Sequence, residues 1–152
     1  MKVFLDADAA PIIKEFEDLA KKYNEIEFIV VKNYNMRYES NEVKIITVDS
    51  AKESADFYIA NNVLKNDLVI TADKGLSSLI FSKNAFVMDF SGNILDERTL
   101  SISLNFRHIN IINKRNKKYV FKHKKRNKNG NLIFYNSLNN FLEDFYEKKT
   151  RT

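Results

Sequence analysis

Three short apolar runs in this chain each stop at an aspartate. Lys2-Val3-Phe4-Leu5 ends at Asp6, Leu68-Val69-Ile70-Thr71-Ala72 ends at Asp73, and Ala85-Phe86-Val87-Met88 ends at Asp89. Runs this short, rich in β-branched and aromatic residues, read as strands buried on both faces. Between them the apolar residues recur at helical spacing. Ile12, Phe16, Leu19, Ala20 and Tyr23 follow Pro11, which suits the first turn of a helix. Ala51, Ala55, Tyr58, Ile59 and Val63 form a second stripe, with Asp49 or Ser50 as its cap. Gly75 starts a shorter helix carrying Leu76, Leu79 and Ile80. Two more strands are predicted at residues 26–31 and 43–48, separated by a polar loop with Tyr34 and Tyr38. Strands alternating with helices predict an α/β fold: three α/β/α layers around a mostly parallel sheet of four to five strands.

The remaining third reads less simply. Ser91-Gly92-Asn93 is a turn, and Asp96-Glu97 resembles a helix start with acids in its first turn. Yet Leu100, Ile102, Leu104, Phe106, Ile109 and Ile111 alternate almost as a strand does, so both readings stay open. Residues 114–130 form a basic, polar segment with a short strand at Tyr119-Val120-Phe121. Leu138, Phe141, Leu142 and Phe145 mark a closing helix. At 152 residues the chain is expected to form a single domain over 1–152.

Several chemistries are excluded by residue content. With no cysteine, disulfides, thiolate metal sites and cysteine nucleophiles are ruled out. His108 and His123 stand apart without ligand spacing, and there is neither a phosphate-binding glycine loop nor a nucleophile elbow. No run is apolar enough to span a membrane, and the opening residues lack an apolar leader, so a cytoplasmic location is expected. Net charge is +5, but unevenly distributed: residues 98–142 hold eleven of the 25 Lys and Arg and none of the 20 acidic residues. An acidic body with a basic C-terminal third suits a polyanionic partner, although Lys- and Asn-rich coding alone would give the same composition.

In a parallel sheet the carboxyl ends of the strands share one edge, where ligands bind. That rule brings together Asp6 and Asp8 after the first strand, Asp73 after the fourth and Asp89 after the fifth. Glu53 and Asp56 join them from an i, i+3 pair at the start of the following helix. Clustered carboxylates raise one another's pKa, and a hard divalent cation relieves the repulsion. Oxygen ligands without sulfur favour Mg²⁺ or Mn²⁺. Structural roles compete: Asp67 and Asp96 suit caps or strand edges, Glu53 a helix dipole, and Asp89 an Asx-type turn.

Taken together, Lys2-Val3-Phe4-Leu5-Asp6-Ala7-Asp8-Ala9-Ala10-Pro11, Val31-Lys32-Asn33, Ser54-Ala55-Asp56-Phe57-Tyr58-Ile59, residues 67–73, Met88-Asp89-Phe90-Ser91-Gly92 and residues 96–107 resemble the YaiI/YqxD family of uncharacterised bacterial proteins. That family looks like a relative of the PIN-domain nucleases. The resemblance implies a PIN-like fold with Asp6, Asp56, Asp73 and Asp89 as the core acidic quartet, Asp8 beside them, and Glu53 where the family usually has Asp. The chain departs in having Ala10 where the family usually has cysteine, and in lacking a Lys-Asp-Arg-type motif before the closing helix.

The expected function is that of a Mg²⁺- or Mn²⁺-dependent nuclease-like protein, with RNA as the favoured polynucleotide. Asp6, Asp56, Asp73, Asp89 and Glu53 are the candidate ligands, and Asp8 positions water. Asn33, Thr71 and Lys74 are expected at the substrate, with Lys117, Lys118, Lys124, Lys125 and Arg126 on its backbone and Tyr34 or Tyr119 stacking on bases. The alternatives are a non-catalytic nucleic-acid or protein interaction module, and a haloacid-dehalogenase-like phosphatase with Asp6 as nucleophile.

Overall fold

The computed structural model describes residues 1–98, 126 and 129–151. Its frame is a six-stranded sheet of β1 (Lys2–Asp6), β2 (Glu27–Asn33), β3 (Lys44–Val48), β4 (Leu68–Ile70), β5 (Phe86–Met88) and β6 (Ile94–Leu95). Among the described residues the helices that accompany it are α1 (Ile13–Lys22), α2 (Ser54–Asn62), α3 (Lys74–Phe81) and a closing α4 (Gly130–Thr150). The strand order is β3-β2-β1-β4-β5-β6, parallel throughout except for the antiparallel β5–β6 pair. From β1 the chain builds outward to β2 and β3, then returns to place β4 on the other side of β1. The point where the order reverses, between β1 and β4, is where open α/β sheets leave a crevice.

Side chains alternate across the sheet, and each set meets a different pair of helices. Val3 and Leu5 of β1, Phe28 and Val30 of β2, and Leu68 and Ile70 of β4 pack with Phe16 and Leu19 of α1 and with Phe134, Leu138 and Leu142 of α4. On the opposite face Phe4, Ile29, Val31, Val69 and Val87 pack with Ile59 and Ala60 of α2 and with Leu76 and Ile80 of α3. The architecture is therefore three α/β/α layers, as the sequence predicted. The central strands β1 and β4 are buried almost end to end, while the edge strands β3 and β6 are partly open.

Four details differ from the sequence reading. The sheet has a sixth strand, β6, which is two residues long and so too short to carry any period. β2 runs on through the polar Lys32 and Asn33, which pair with Thr47 and Val48. α2 starts at Ser54 rather than after Asp49 or Ser50, and Glu53 precedes it in a left-handed conformation (φ 69°) with no side-chain cap hydrogen bond. Glu53 is therefore the residue just before α2 rather than part of its first turn, in which Asp56 lies. Lastly, Leu79 does not belong to the inner face of α3 but is exposed.

β2 and β3 are parallel yet joined without a helix. Met36 and Tyr38 of the connecting loop pack against the α1/α4 core in its place. The alternation over 100–111, the strand at 119–121 and both histidines lie outside the described residues. Among those described, no helix is long and apolar enough to cross a membrane.

Candidate functional site

Asp6 and Thr71 follow Phe4 and Val69 by two residues each, so alternation aims all four at the α2/α3 side of the sheet. One residue beyond the paired Leu5 and Ile70, the two polar side chains meet. The Thr71 hydroxyl donates to Asp6 Oδ2 at 2.9 Å and accepts from the Asp73 amide at 3.0 Å. Asp6 Oδ1 receives a long contact from the Asp8 amide, 3.5 Å. Asp6 is 7% exposed and Thr71 fully buried. A buried hydroxyl cannot touch substrate, so the expected contact from Thr71 is corrected to a positioning role: it holds Asp6 and ties β4 to the loop that carries Asp73.

Asp73 caps α3, its Oδ1 accepting from the Leu76 amide at 2.7 Å. Asp56 sits in the first turn of α2, where the helix dipole favours an acid. These carboxylates surround a cleft of about 770 Å³ at the carboxyl edge of β1, β2 and β3. Asp6, Asp8, Glu53, Asp56 and Asp73 all line it, as does Asn33. A concavity of this volume suits a small ligand or part of a larger one. Its wall also contains Asp49 and Ser50, read from the sequence as helix caps. Asp49 follows β3 as Asp6 ends β1, so the strand-end rule already pointed to it; the capping reading hid the signal. Lys32 and Lys52 line the same cleft.

The acids sense one another. Burial pushes the Asp6 carboxyl above its usual range despite the Thr71 hydroxyl and Asp8 amide, and the charges of Asp8 and Asp73 push it further. Asp56 is pushed up to about 6, first by desolvation, then by the charges of Asp73, Asp6, Glu53 and Asp8. Among the described residues, none of Asp6, Asp8, Asp56 and Asp73 is in an ion pair. Two cleft residues, Ala9 (φ 54°) and Glu53, hold left-handed backbone conformations that cost non-glycine residues of the order of 1 kcal/mol. Strain of this kind concentrates at ligand sites.

The other candidates stand elsewhere. Asp89 does not line the cleft; its Oδ1 accepts from the Ser91 and Asn93 amides, and its Oδ2 from the Asn93 side chain, all at 2.9–3.0 Å. It closes the β5–β6 turn, which was its competing structural reading. Asn33 spends its Oδ1 on the Asn35 and Met36 amides. Lys74 opens α3 without lining the cleft. Arg126 donates to the Phe90 carbonyl and to Asn131 Oδ1, both at 2.8 Å, and so joins the β5–β6 turn to α4. Lys117, Lys118, Lys124, Lys125 and Tyr119 lie outside the described residues. Among those described, no three His, Asp or Glu side chains are arranged to hold a metal ion together.

The profile of the YaiI/YqxD family, whose members are uncharacterised bacterial proteins, matches residues 4–144. The chain belongs to the YaiI/YqxD family. A UPF0178 protein of Natranaerobius thermophilus is 36% identical over 132 residues, covering 86% of this chain and 89% of that one. Another, from Alkaliphilus oremlandii, is 33% identical over 145 residues, or 95% and 92% of the two chains. A third, from Clostridium novyi, is 30% identical over 148 residues, 97% and 99%. No solved structure matches the chain significantly. The match to the YaiI/YqxD profile spans every cleft acid, from Asp6 to Asp73, and continues into α4.

Proposed function

We propose that the cleft is the centre of a divalent-cation-dependent phosphodiesterase of nuclease type, with RNA as its favoured substrate. The observation that carries this reading is the convergence of Asp6, Asp56 and Asp73 from three separate elements on one cleft beside the sheet's reversal point. The likeness of the YaiI/YqxD family to the PIN-domain nucleases supports the same chemistry.

The donor set fits a hard cation: carboxylate oxygens without sulfur, mutually repelling and unpaired with any described basic group. Mg²⁺ is usually held by one or two carboxylates plus water and substrate oxygens, so the reading does not require three carboxylates to meet. Asp56 and Asp73 would hold it, with Asp6 beneath them and Glu53 and Asp49 at the rim. When bound, the cation would supply charge neutralisation at the scissile phosphate and a more acidic water. The chain's own contributions are distinct. Thr71 fixes the Asp6 carboxylate, and the α3 cap fixes Asp73. Asp8, exposed at the rim, would orient a water and accept its proton. Asp6 is buried with its Oδ2 already accepting from Thr71, which weighs against Asp6 as a phosphatase nucleophile.

The test is calorimetric titration of Mn²⁺ into metal-free protein beside Asp6→Asn and Asp73→Asn. An asparagine can still cap α3, so the second variant keeps its fold. Saturable binding in the parent and its loss in both variants is expected, followed by cation-dependent cleavage of single-stranded RNA. No binding in the parent would overturn the proposal and favour a non-catalytic interaction module.

A further inference from the structure

The loop between β2 and β3 builds a second concavity directly against the acidic cleft. It measures about 620 Å³ and is lined by Lys32, Tyr34, Met36, Arg37, Tyr38 and Glu39. Lys32 and Met36 line both cavities, so the two adjoin. The loop is firmly held. Asn33 Oδ1 accepts from the Asn35 and Met36 amides at 3.0 and 3.2 Å, and Lys32 Nζ donates to the Met36 carbonyl at 3.0 Å. Met36 and Tyr38 pack against the core, and the Tyr38 hydroxyl donates to Glu17 of α1.

Tyr34 behaves differently. It is 61% exposed, and its hydroxyl has only a 3.5 Å contact with Ser50 Oγ, on the cleft wall. A hydrogen-bonded loop thus presents a large aromatic ring to solvent beside two cations. Lys32 uses one of its three ammonium donors, leaving two free to turn outward. Arg37 is exposed. A polyanion approaching a cleft lined by acids needs positive charge at its rim, and these two side chains supply it against Glu39, the single acid lining the concavity.

We propose that this concavity is a subsite for single-stranded nucleic acid. Tyr34 stacks on an unpaired base, Lys32 and Arg37 meet the adjoining phosphates, and the strand continues into the acidic cleft. Stacking requires a base not already covered by its neighbours, so a duplex is disfavoured. The direction of the strand into the cleft rests on the nuclease-like reading above; the subsite itself rests on the loop.

The experiment measures binding of a labelled single-stranded RNA, the same sequence as DNA, and the RNA duplex to the full chain in metal-free buffer with EDTA, which prevents cleavage, by fluorescence anisotropy. The single strands are expected to bind more tightly than the duplex. Tyr34→Ala should weaken RNA binding about tenfold, with Tyr34→Phe close to the parent. Arg37→Ala should weaken binding and flatten its salt dependence. Equal binding of DNA and RNA strands also supports the subsite, as stacking and phosphate contacts do not need a 2′-hydroxyl. Mn²⁺ calorimetry on Tyr34→Ala should match the parent, showing an intact fold. A Tyr34→Ala affinity equal to the parent's, or duplex bound as well as single strand, overturns the subsite even if Mn²⁺ binds. Tyr34-dependent RNA binding by a chain that takes up no Mn²⁺ in calorimetry would keep the subsite and overturn the metal reading of the cleft.

Discussion

The Thr71 hydroxyl bridges two acids, donating to Asp6 Oδ2 at 2.9 Å while accepting from the Asp73 amide at 3.0 Å. One fully buried side chain thereby sets the position of the carboxylate at the end of β1 and the path of the loop leaving β4. The bond favours the ionised form of Asp6, and burial opposes it.

Thr71→Val keeps the shape and removes the donor. Asp6 should then titrate higher still, and the chain should lose about 1–3 kcal/mol of stability near neutral pH, the cost of stranding a buried charged acceptor. In acid, where Asp6 is protonated, the loss should shrink. Urea unfolding of both proteins at the two pH values measures this; an equal loss at both would remove the charge from the explanation.

Asp56 is pushed up to about 6 from an ordinary value of 3.8, and Asp6 is also raised. Between those values the folded chain retains protons that the unfolded chain has released. Their contribution to stability is therefore greatest below about pH 4 and declines as pH rises through about 6. Asp56→Asn removes its share of that decline. The variant should match the parent near pH 4 and unfold at higher urea near pH 7.5, in metal-free buffer, by the same linkage. A parent more stable than the variant at the higher pH would contradict the repulsion.

Asp67 is 4% exposed and has both oxygens engaged, one with the Lys2 amide at 2.8 Å and the other with the Leu64 amide at 2.9 Å. It fastens the start of β1 to the approach of β4, the cap or strand-edge role its position suggested. Asp67→Ala leaves two backbone donors without their partner and should cost about 1–3 kcal/mol, read as a lower thermal midpoint. Mn²⁺ affinity should be unchanged, because Asp67 does not line the cleft.

Gly92 has φ +87°, and a Cβ there would stand 2.6 Å from Ser137 Cβ and 3.3 Å from Phe134 Cα. The β5–β6 turn is thus pressed against α4, with Arg126 joining the two beside it. Gly92→Ala combines a steric clash with a strained backbone and should lower stability by about 1–3 kcal/mol. Gly92→Ala paired with Ser137→Gly should recover part of the loss in thermal unfolding; no recovery would place the cost in the backbone alone.

Taken by itself, the sequence determined β1 to β5 and α1 to α4 to within a few residues at most ends, the burial of β1 and β4, and the presence of Asp6 and Asp73 on one edge. Those features depend on local apolar pattern and on the geometry of parallel sheets, both readable residue by residue. Only the tertiary structure decided the order β3-β2-β1-β4-β5-β6, since neighbours in a sheet are chosen by packing between distant segments. It also decided what each acid does. Asp6 meets Thr71, Asp89 turns back onto its own hairpin, and Asp49 becomes cleft wall because α2 starts at Ser54. Periodicity reports whether a side chain is covered; which atoms cover it is set by partners far away in the chain, here 65 residues apart for Asp6 and Thr71.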